Sequence, residues 1–421
     1  MKSLANFFIV SIVILSQMSC LQDRCTDERV FTQYTPVNMT RAEFERSILL
    51  TSIRPLKDPG KMYFYQNYLF INEKGLGVHV YDLTDISSPQ KIAFYDIPGN
   101  FDIAIKDHYL YADNVIDLIT IDIADINAPK VVAREKDYLK QYVNFVPQTF
   151  YAYSVKTNVT QILTCENPNF NSSWFWGGVD DVFLQDATSG VINVKQTSTF
   201  SDTGISGSFA RFTVVDNNLY VVGNSNLLGF DIQAPEKPAL KSDNNLGWGI
   251  ETIFPYKDKL FIGSSTGMFI FERKADGSVT LASTFTHARA CDPIVVEGNT
   301  AYVTLRNGNR CSGFENQLDV IDVTNIYSPS LIMSYGMKNP HGLAVRDASL
   351  YIAEGDFGFK VLDASDPKNV TLITSKNDKH AYDMISLDKN TLFIIGEDGF
   401  YIYDVTDNSD PKVLSSIKPE P

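Results

Sequence analysis

The sequence has few of the residues that build most catalytic and metal sites. Its 421 residues include five cysteines, five histidines and three tryptophans. No CxxC pair and no histidine at ligand spacing accompanies the cysteines, which argues against a zinc site. Nucleophile-elbow, phosphate-loop and metal motifs are also missing. We therefore assign no catalytic residue, no metal and no cofactor, and favour a non-enzymatic role.

Positive charge is also scarce. The chain has 36 Lys and Arg against 50 Asp and Glu, a net charge of −14. A nucleic-acid surface needs a basic stripe, and attraction to anionic lipid needs basic residues as well. The composition therefore excludes nucleic acid as a partner and excludes membrane binding by charge.

Long apolar runs are missing except at the N-terminus. Lys2 is followed by a run from Leu4 to Leu15 that is too short to span a bilayer comfortably, which indicates a secretory signal over residues 1–19. Ser19 before Cys20 resembles a bacterial lipobox, in which Cys20 is lipidated, although Gln17 and Met18 depart from its usual pattern. The alternative is an ordinary signal peptide with an incidental cysteine.

What the sequence does have is a repeat. Short runs rich in Ile, Val and Tyr alternate with turn residues, and an Asp-rich turn signature followed by Pro recurs about every 40 residues, the length of a four-stranded blade. Asp and Asn side chains can accept a bond from the backbone two residues on, which suits a turn between a third and a fourth strand. The signatures begin at Asp82, Asp122, Asp231, Asp322, Asp363 and Asp404.

A sheet of four short strands cannot bury both faces alone, so its copies must stack, and a closed ring protects their edges. The sequence therefore predicts an all-β fold, a β-propeller of four-stranded blades. We count eight units from their second strands, with seven as the alternative because the third is degenerate. These strand cores are 68–70, 109–111, 150–152, 219–221, 260–262, 301–303, 350–352 and 392–394.

The units resemble the LVIVD repeat of bacterial envelope proteins, in forms such as LITIDIADINAPK and LDVIDVTNIYSPS. The resemblance covers roughly residues 60–421, and three blocks are similar to the lipoprotein branch of that family: Gly247 to Ser264, Ala290 to Gly308 and Asn339 to Val345. It implies a propeller at the cell surface or in the envelope. It implies no reaction and no catalytic residue set.

Three regions follow: a signal peptide over 1–19, a lipidated Cys20 with a tether and a short helix over 20–58, and the propeller over 59–421. Thr40 and Glu43 have capping-box spacing, and Phe44 with Ile48 gives an apolar stripe, which predicts the helix. Residues 47–53 are predicted to add a strand to the last blade.

Two insertions between second and third strands, about 156–178 and 305–316, overhang the face at which each first strand begins, which we name the mouth face. Trp174, Phe175 and Trp176 either stack on a sugar or peptide or pack the insertion onto the blades. Arg306 lies in the second insertion. Cys291 and Cys311 are predicted to form a disulfide, with two buried thiols as the alternative.

One position before each second strand is polar in nearly every unit and is predicted to lie near the mouth of the central channel. We name this set the polar ring; it comprises Lys61, Asp102, Asn144, Arg211, Glu251, Asp292, His341 and Asp383. The ring is either a binding site, as is common in propellers, or an ion-pair network without a ligand. A metal among Asp102, Asp292, His341 and Asp383 is a weaker alternative.

These observations predict an envelope-anchored lipoprotein that binds or scaffolds a glycan, peptide or envelope protein through the mouth face. The expected location is the outer membrane or the cell surface, with the lipid anchor in a bacterial membrane; the oligomeric state stays open. The alternative is a glycan-active hydrolase or lyase that uses carboxylates of the polar ring, with or without a metal.

Overall fold

The computed structural model describes residues 26–46, 48–51, 53–139, 149–164, 204–223, 225–247, 249–265, 267–286, 293–306 and 316–420. The chain divides into two compact units. The first comprises the described residues up to Thr35 and those from Ser154 to Thr164, and the second comprises the rest. The described part of the chain contains no helix that is long and apolar enough to cross a membrane.

The first elements are β1 (Thr26–Thr40), α1 (Arg41–Arg46), β2 (Leu49–Thr51), β3 (Pro59–Tyr65), β4 (Tyr68–Glu73), β5 (Gly77–Asp82), β6 (Gln90–Asp96), β7 (Ile103–Lys106), β8 (Tyr109–Asn114), β9 (Asp117–Asp122), β10 (Lys130–Glu135), β11 (Thr149–Thr164) and β12 (Ile205–Ser206).

Twenty strands follow: β13 (Phe212–Val215), β14 (Asn218–Val222), β15 (Asn226–Asp231), β16 (Ala239–Asn245), β17 (Ile250–Tyr256), β18 (Lys259–Ser264), β19 (Gly267–Arg273), β20 (Val279–Thr286), β21 (Ile294–Glu297), β22 (Thr300–Leu305), β23 (Gln317–Asp322), β24 (Ser330–Gly336), β25 (Leu343–Arg346), β26 (Ser349–Ala353), β27 (Phe359–Asp363), β28 (Thr371–Lys376), β29 (Asp383–Ser386), β30 (Thr391–Gly396), β31 (Gly399–Asp404) and β32 (Lys412–Ile417).

The described part of the second unit contains seven antiparallel blades of four consecutive strands. They are β3–β6, β7–β10, β13–β16, β17–β20, β21–β24, β25–β28 and β29–β32, which we number 1 to 7. The first strand of each blade contacts the first strand of the next, and β3 contacts β30 of the last blade. The all-β propeller of four-stranded blades is confirmed. The favoured count of eight is wrong, and the alternative of seven is correct.

The extra predicted unit is the stretch around Phe150 to Ala152. In the structure these residues belong to β11, which continues to Thr164 instead of turning and pairs with β1 in a two-stranded sheet. A blade needs tight turns after each short strand, and β11 is 16 residues long without one. The sequence also has no Asp-rich turn signature between Asp125 and Asp231.

The predicted chemistry of the turn signatures is confirmed. Asp122 accepts a bond from the backbone N–H of Ala124 at 2.9 Å, and Asp404 accepts one from Thr406 at 2.8 Å. Equivalent bonds two residues on are accepted by Asp82, Asp231, Asp322 and Asp363. These carboxylates therefore fix the turn between the third and fourth strands.

Every blade has a β-bulge between its third and fourth strands. In blade 7, for example, the pairing shifts between Ile402 and Tyr403, and the equivalent shift occurs in the other six. A bulge bends and twists a strand, which makes an outer edge a poor template for pairing with another chain. The bulges thus protect the outer edges of the blades, and in blade 1 strand β2 also covers that edge.

Helix α1 and strand β2, which precede blade 1 within the second unit, pack onto the blades. Helix α1 begins at the predicted capping box, where Glu43 accepts the Thr40 backbone N–H at 2.7 Å. Phe44 is fully buried with Val115 and Ile116 of blade 2. Strand β2 pairs with β6 of blade 1, so the prediction of an extra strand is right but its predicted partner, the last blade, is wrong.

An apolar core between blades 7 and 1 closes the ring. Phe393 is fully buried there, with its ring centroid 5.5 Å from that of Phe64 and 5.2 Å from that of Phe400. Leu56, also fully buried, belongs to the same core, and its carbonyl accepts the Glu420 backbone N–H at 2.7 Å. Both ends of the propeller sequence therefore meet at this core.

We expect Phe393→Ala to open the ring at its closure. Truncating a buried Phe removes apolar contact and leaves a cavity, which costs about 3–5 kcal/mol of unfolding free energy. Urea unfolding followed by tryptophan fluorescence would measure this cost. The matched change Phe357→Ala, at a ring that is 44% exposed, should cost about 0.5 kcal/mol or less; equal costs for both variants would contradict the assigned closure.

Candidate functional site

A segment of the chain fills the axis of the propeller. Residues 204–210, which we name the axial segment, contain β12, and β12 pairs with the axis-facing edge of β3. The Gly204 N–H donates to the Ile105 carbonyl of blade 2 at 3.1 Å, and the Ala210 carbonyl accepts from Ile253 of blade 4 at 2.8 Å. The axial segment thus bonds to the innermost strands of several blades at once.

Asp383 ties the axial segment to blades 6 and 7. Its Oδ1 accepts the backbone N–H of Ser208 at 2.8 Å and the Ser208 hydroxyl at 2.9 Å, and Ser208 Oγ accepts the Leu343 N–H at 2.6 Å. A Cβ on Gly207 would lie 2.1 Å from Asp383 Oδ2, and one on Gly342 would lie 2.3 Å from Oδ1. Both glycines are therefore needed for this close approach.

Lys61, Asp102 and Arg211 come together in a buried network across blades 1 to 3. Lys61 Nζ lies 2.8 Å from Asp102 Oδ2, and both side chains are 4% exposed. The same oxygen accepts the backbone N–H groups of Arg211 and Phe212 at 2.5 and 3.0 Å. Burial lowers the pKa of Lys61, and the neighbouring Asp102 carboxylate opposes this effect.

Asp113 supports this network from the second strand of blade 2. Its Oδ1 accepts N–H groups from Asn100, Phe101 and Asp102 at 2.7, 2.8 and 3.0 Å. Burial raises the pKa of Asp113 to about 6, although the bonds from the backbone N–H groups of Asp102 and Phe101 oppose the rise.

His341 lies beside Arg306 on the mouth face. Arg306 Nη1 is 3.4 Å from His341 Nε2, and His341 is 3% exposed. Burial and then the positive charge of Arg306 hold the pKa of His341 well below its ordinary value, so the imidazole is neutral. Among the described residues, none accepts a bond from or donates one to its Nδ1.

The polar ring is thus partly assembled. The structure joins Lys61, Asp102 and Arg211, places Asp383 on the axial segment, and places His341 beside Arg306. Glu251 lies on β17 and is half-buried. The remaining predictions lie outside the described residues: Asn144, Asp292, Trp174, Phe175, Trp176, Cys20, Cys291 and Cys311. In the described part of the chain, no group of three or more His, Cys, Asp or Glu could hold a metal ion.

Neither buried Asp of the ring has the surroundings of a catalytic acid or base. Ser208, Asp383 and His341 are near in the fold, but the Ser208 hydroxyl donates directly to Asp383, so no imidazole activates it. Asp102 is occupied by an ammonium group and two backbone N–H groups. These contacts can hold blades together, but they leave no oxygen of Asp102 or Ser208 facing open solvent.

Sequence reasoning missed the axial segment. The signal is the run of small residues in GISGS at 204–208, which directly precedes the first strand of blade 3. Glycine and serine suit a narrow channel where backbones approach closely. Tyr382, one residue before the ring position of blade 7, was also missed, and it contacts both His341 and His380.

No protein-family model and no curated protein matches the chain. Among solved structures, a functionally unknown protein from Desulfotomaculum acetoxidans DSM 771 is 16% identical with a TM-score of 0.51, over 84% of this chain and 95% of that one. BamB from Moraxella catarrhalis is 9% identical with a TM-score of 0.48, over 90% and 96% of the two chains.

The periplasmic gluconolactonase PpgL from Pseudomonas aeruginosa is 14% identical with a TM-score of 0.49, over 76% and 84% of the two chains. At 16% identity, the likeness to the Desulfotomaculum acetoxidans protein shows the fold alone. The other two have TM-scores below 0.5 and add no argument about function.

We expect Asp113→Asn to change how stability depends on pH. A carboxyl whose pKa is raised from 3.8 to about 6 by folding destabilises the folded state as pH rises through that window. The gap between these values corresponds to about 3 kcal/mol. The amide keeps an oxygen for the three N–H donors and has no charge, so the stability of the variant relative to wild type should rise by up to that amount from pH 3 to pH 7.

Urea unfolding at several pH values would measure this difference. The control is Asp378→Asn, the same substitution at a side chain that is 58% exposed. Parallel curves for Asp113→Asn and wild type would show that the buried carboxyl does not titrate in this range.

Proposed function

We propose that the protein is a lipid-anchored β-propeller of the bacterial cell envelope that binds or scaffolds a glycan, peptide or envelope protein through its mouth face. The secretory signal, the lipobox-like Ser19 and Cys20, and the LVIVD-type repeats support the anchoring and the location. The propeller supplies a rigid surface to which several blades each contribute loops.

One observation carries the binding role: the axial segment occupies the axis, and this segment and the two residues after it donate bonds to the buried carboxylates there. Asp383 accepts two bonds from Ser208, and Asp102 accepts the N–H groups of Arg211 and Phe212. Asp102 is 3% exposed and Asp383 is 0% exposed. A partner would therefore engage the rim of the mouth face rather than the interior of a channel.

The hydrolase or lyase alternative receives less support from the same geometry. A carboxylate pair that acts on a glycosidic bond must reach the substrate and needs one member protonated. Asp102 and Asp383 are buried by the protein's own backbone, and Asp102 is paired with Lys61. Glu251 is the described ring carboxylate that is partly exposed, and a single carboxylate is insufficient for this mechanism.

The lipid anchor is tested by Cys20→Ala. Loss of the thiol removes the site of lipidation, so the variant should move from the membrane fraction to the soluble fraction of lysed cells. Labelling with an alkyne fatty acid should mark wild type and leave the variant unmarked. Cys25→Ala, a few residues further on, is the control and should stay labelled; label that persists in Cys20→Ala would contradict the anchor.

The binding face is tested by reversing one charge on each face. Lys338 is exposed at the entry to the first strand of blade 6, on the mouth face, and Lys412 is exposed at the beginning of the last strand of blade 7, on the opposite face. Immobilised wild type, Lys338→Glu and Lys412→Glu would be incubated with envelope extract.

Retained proteins and sugars would then be quantified by mass spectrometry. We expect a ligand that wild type and Lys412→Glu retain equally and that Lys338→Glu retains at least about fivefold less, because a like or unpaired charge at a contact weakens binding by ~1 kcal/mol or more. If only Lys412→Glu lost the ligand, the binding face would be the one opposite the mouth face.

A further inference from the structure

Five side chains from four consecutive blades form a row on the mouth face, which we name the mouth row: Arg306, His341, His380, Tyr382 and Lys74. Arg306 Nη1 lies 3.4 Å from His341 Nε2. The Tyr382 ring centroid is 5.2 Å from that of His341 and 4.2 Å from that of His380. Lys74 Nζ is 5.9 Å from the Tyr382 centroid. The row joins blades 5, 6, 7 and 1 at the rim of the axis.

Two glycines make room for the imidazole rings of the row. A Cβ on Gly355 would lie 2.9 Å from His341 Nε2, and one on Gly396 would lie 3.1 Å from His380 Nδ1. Gly396 would also bring its Cβ within 2.1 Å of the His380 carbonyl. Side chains at these positions would displace the rings, so the row depends on glycine at both.

Hydrogen-bond donors and acceptors occur together in the row and among its direct contacts. A guanidinium only donates, so His341 Nε2 accepts from Arg306 and the proton of the neutral ring is on Nδ1. The Tyr382 hydroxyl donates to Glu397 Oε1 at 2.5 Å. His380 Nε2 lies 3.6 Å from Asp356 Oδ1, a carboxylate that is 87% exposed. Ligand hydroxyl groups, which both donate and accept, match such a mixture.

Positive charge is not in excess in and around the row. Lys74 lies 3.3 Å from Asp58, the carboxylates of Glu397 and Asp356 contact Tyr382 and His380, and the whole chain has a net charge of −14. No excess of positive charge is available for a polyanion, and the overall field repels one. A neutral ligand fits this balance better than an acidic polysaccharide.

The described part of the mouth face also lacks the features that bind peptides. Addition of a strand requires an open sheet edge, and a helical peptide requires an apolar groove. The axis-facing edge of β3 is occupied by β12. Most exposed aliphatic side chains of the described residues lie on outer strands, for example Leu281, Leu331 and Leu372, and Phe357 is a single exposed ring in a mouth-face loop. Amphipathic rings beside polar groups, as at Tyr382, suit the apolar face and hydroxyl rim of a sugar.

We propose that the mouth row binds a neutral polysaccharide, with a sugar ring against Tyr382 and sugar hydroxyls bonded to Glu397, Asp356 and the two cations. This inference rests on the proposed binding role of the mouth face and names its ligand class.

The chain provides a matched pair of tyrosines for the test. Tyr382 on the mouth face donates to Glu397, and Tyr327, 61% exposed in a turn on the opposite face, donates to Glu272 at 2.8 Å. Full-length processed wild type, Tyr382→Ala and Tyr327→Ala would be run in native gels that contain laminarin, yeast mannan, dextran or polygalacturonate. Thermal melting would check that each variant is folded.

We expect at least one of the three neutral glycans to retard wild type, with dissociation constants raised about tenfold or more in Tyr382→Ala and within about twofold of wild type in Tyr327→Ala. Should Tyr382→Ala be unfolded, Glu397→Gln replaces it, with Glu272→Gln as its control and the same expectation.

Stronger retardation by polygalacturonate than by every neutral glycan would overturn the ligand class. Equal effects of Tyr382→Ala and Tyr327→Ala would overturn the site. If no neutral glycan retards wild type while Lys338→Glu still loses an envelope partner, the ligand class is wrong and the proposed function stands. If no neutral glycan retards wild type and Lys338→Glu retains every envelope partner as well as wild type does, both the ligand class and the proposed function fail.

Discussion

Two buried carboxylates, Asp102 and Asp383, tie the chain that fills the axis to the blades around it. Each accepts backbone N–H groups where the chain passes along or leaves the axis: Asp383 from Ser208, and Asp102 from Arg211 and Phe212. A buried carboxylate without such partners costs several kcal/mol, so these positions fix the path of the axial segment. The contacts of the innermost strands with the axial segment depend on this arrangement, and so does the proposal that a ligand engages the rim.

The repeat made the propeller predictable because every blade is subject to the same constraint. A sheet of four short strands must bury both faces, so the apolar strand pattern returns in each blade, and Asp122 and its equivalents fix the same turn. The blade count was harder to predict, because it depends on whether the chain turns back after the second strand of a degenerate unit. Phe150 to Ala152 resemble a second strand locally, and pairing with β1, more than 100 residues away in sequence, makes them part of a separate two-stranded sheet instead.

For the polar ring, too, the sequence predicted positions but not the contacts of their side chains. Spacing alone found Lys61, Asp102, Arg211, His341 and Asp383, and the structure places all five at buried positions. Spacing in the sequence could not show what each residue contacts. Ser208, for example, lies 175 positions before its partner Asp383 and does not belong to a repeated polar position. A polar residue at a repeated position can bond to a ligand or to the backbone of another segment of the same chain. For Asp383, that backbone belongs to the axial segment.

The two faces of the propeller differ in how much their residues vary from blade to blade, and this difference bears on ligand recognition. On the turn face, nearly identical Asp turns recur, each using its carboxylate on its own backbone, so that face offers similar chemistry all round. On the mouth face, the second strands end in different residues, such as Glu73, Asn114, Leu305 and Gly396. Repetition alone would produce the first pattern. A specific ligand requires groups that differ from blade to blade, and the mouth face is where the chain has placed them.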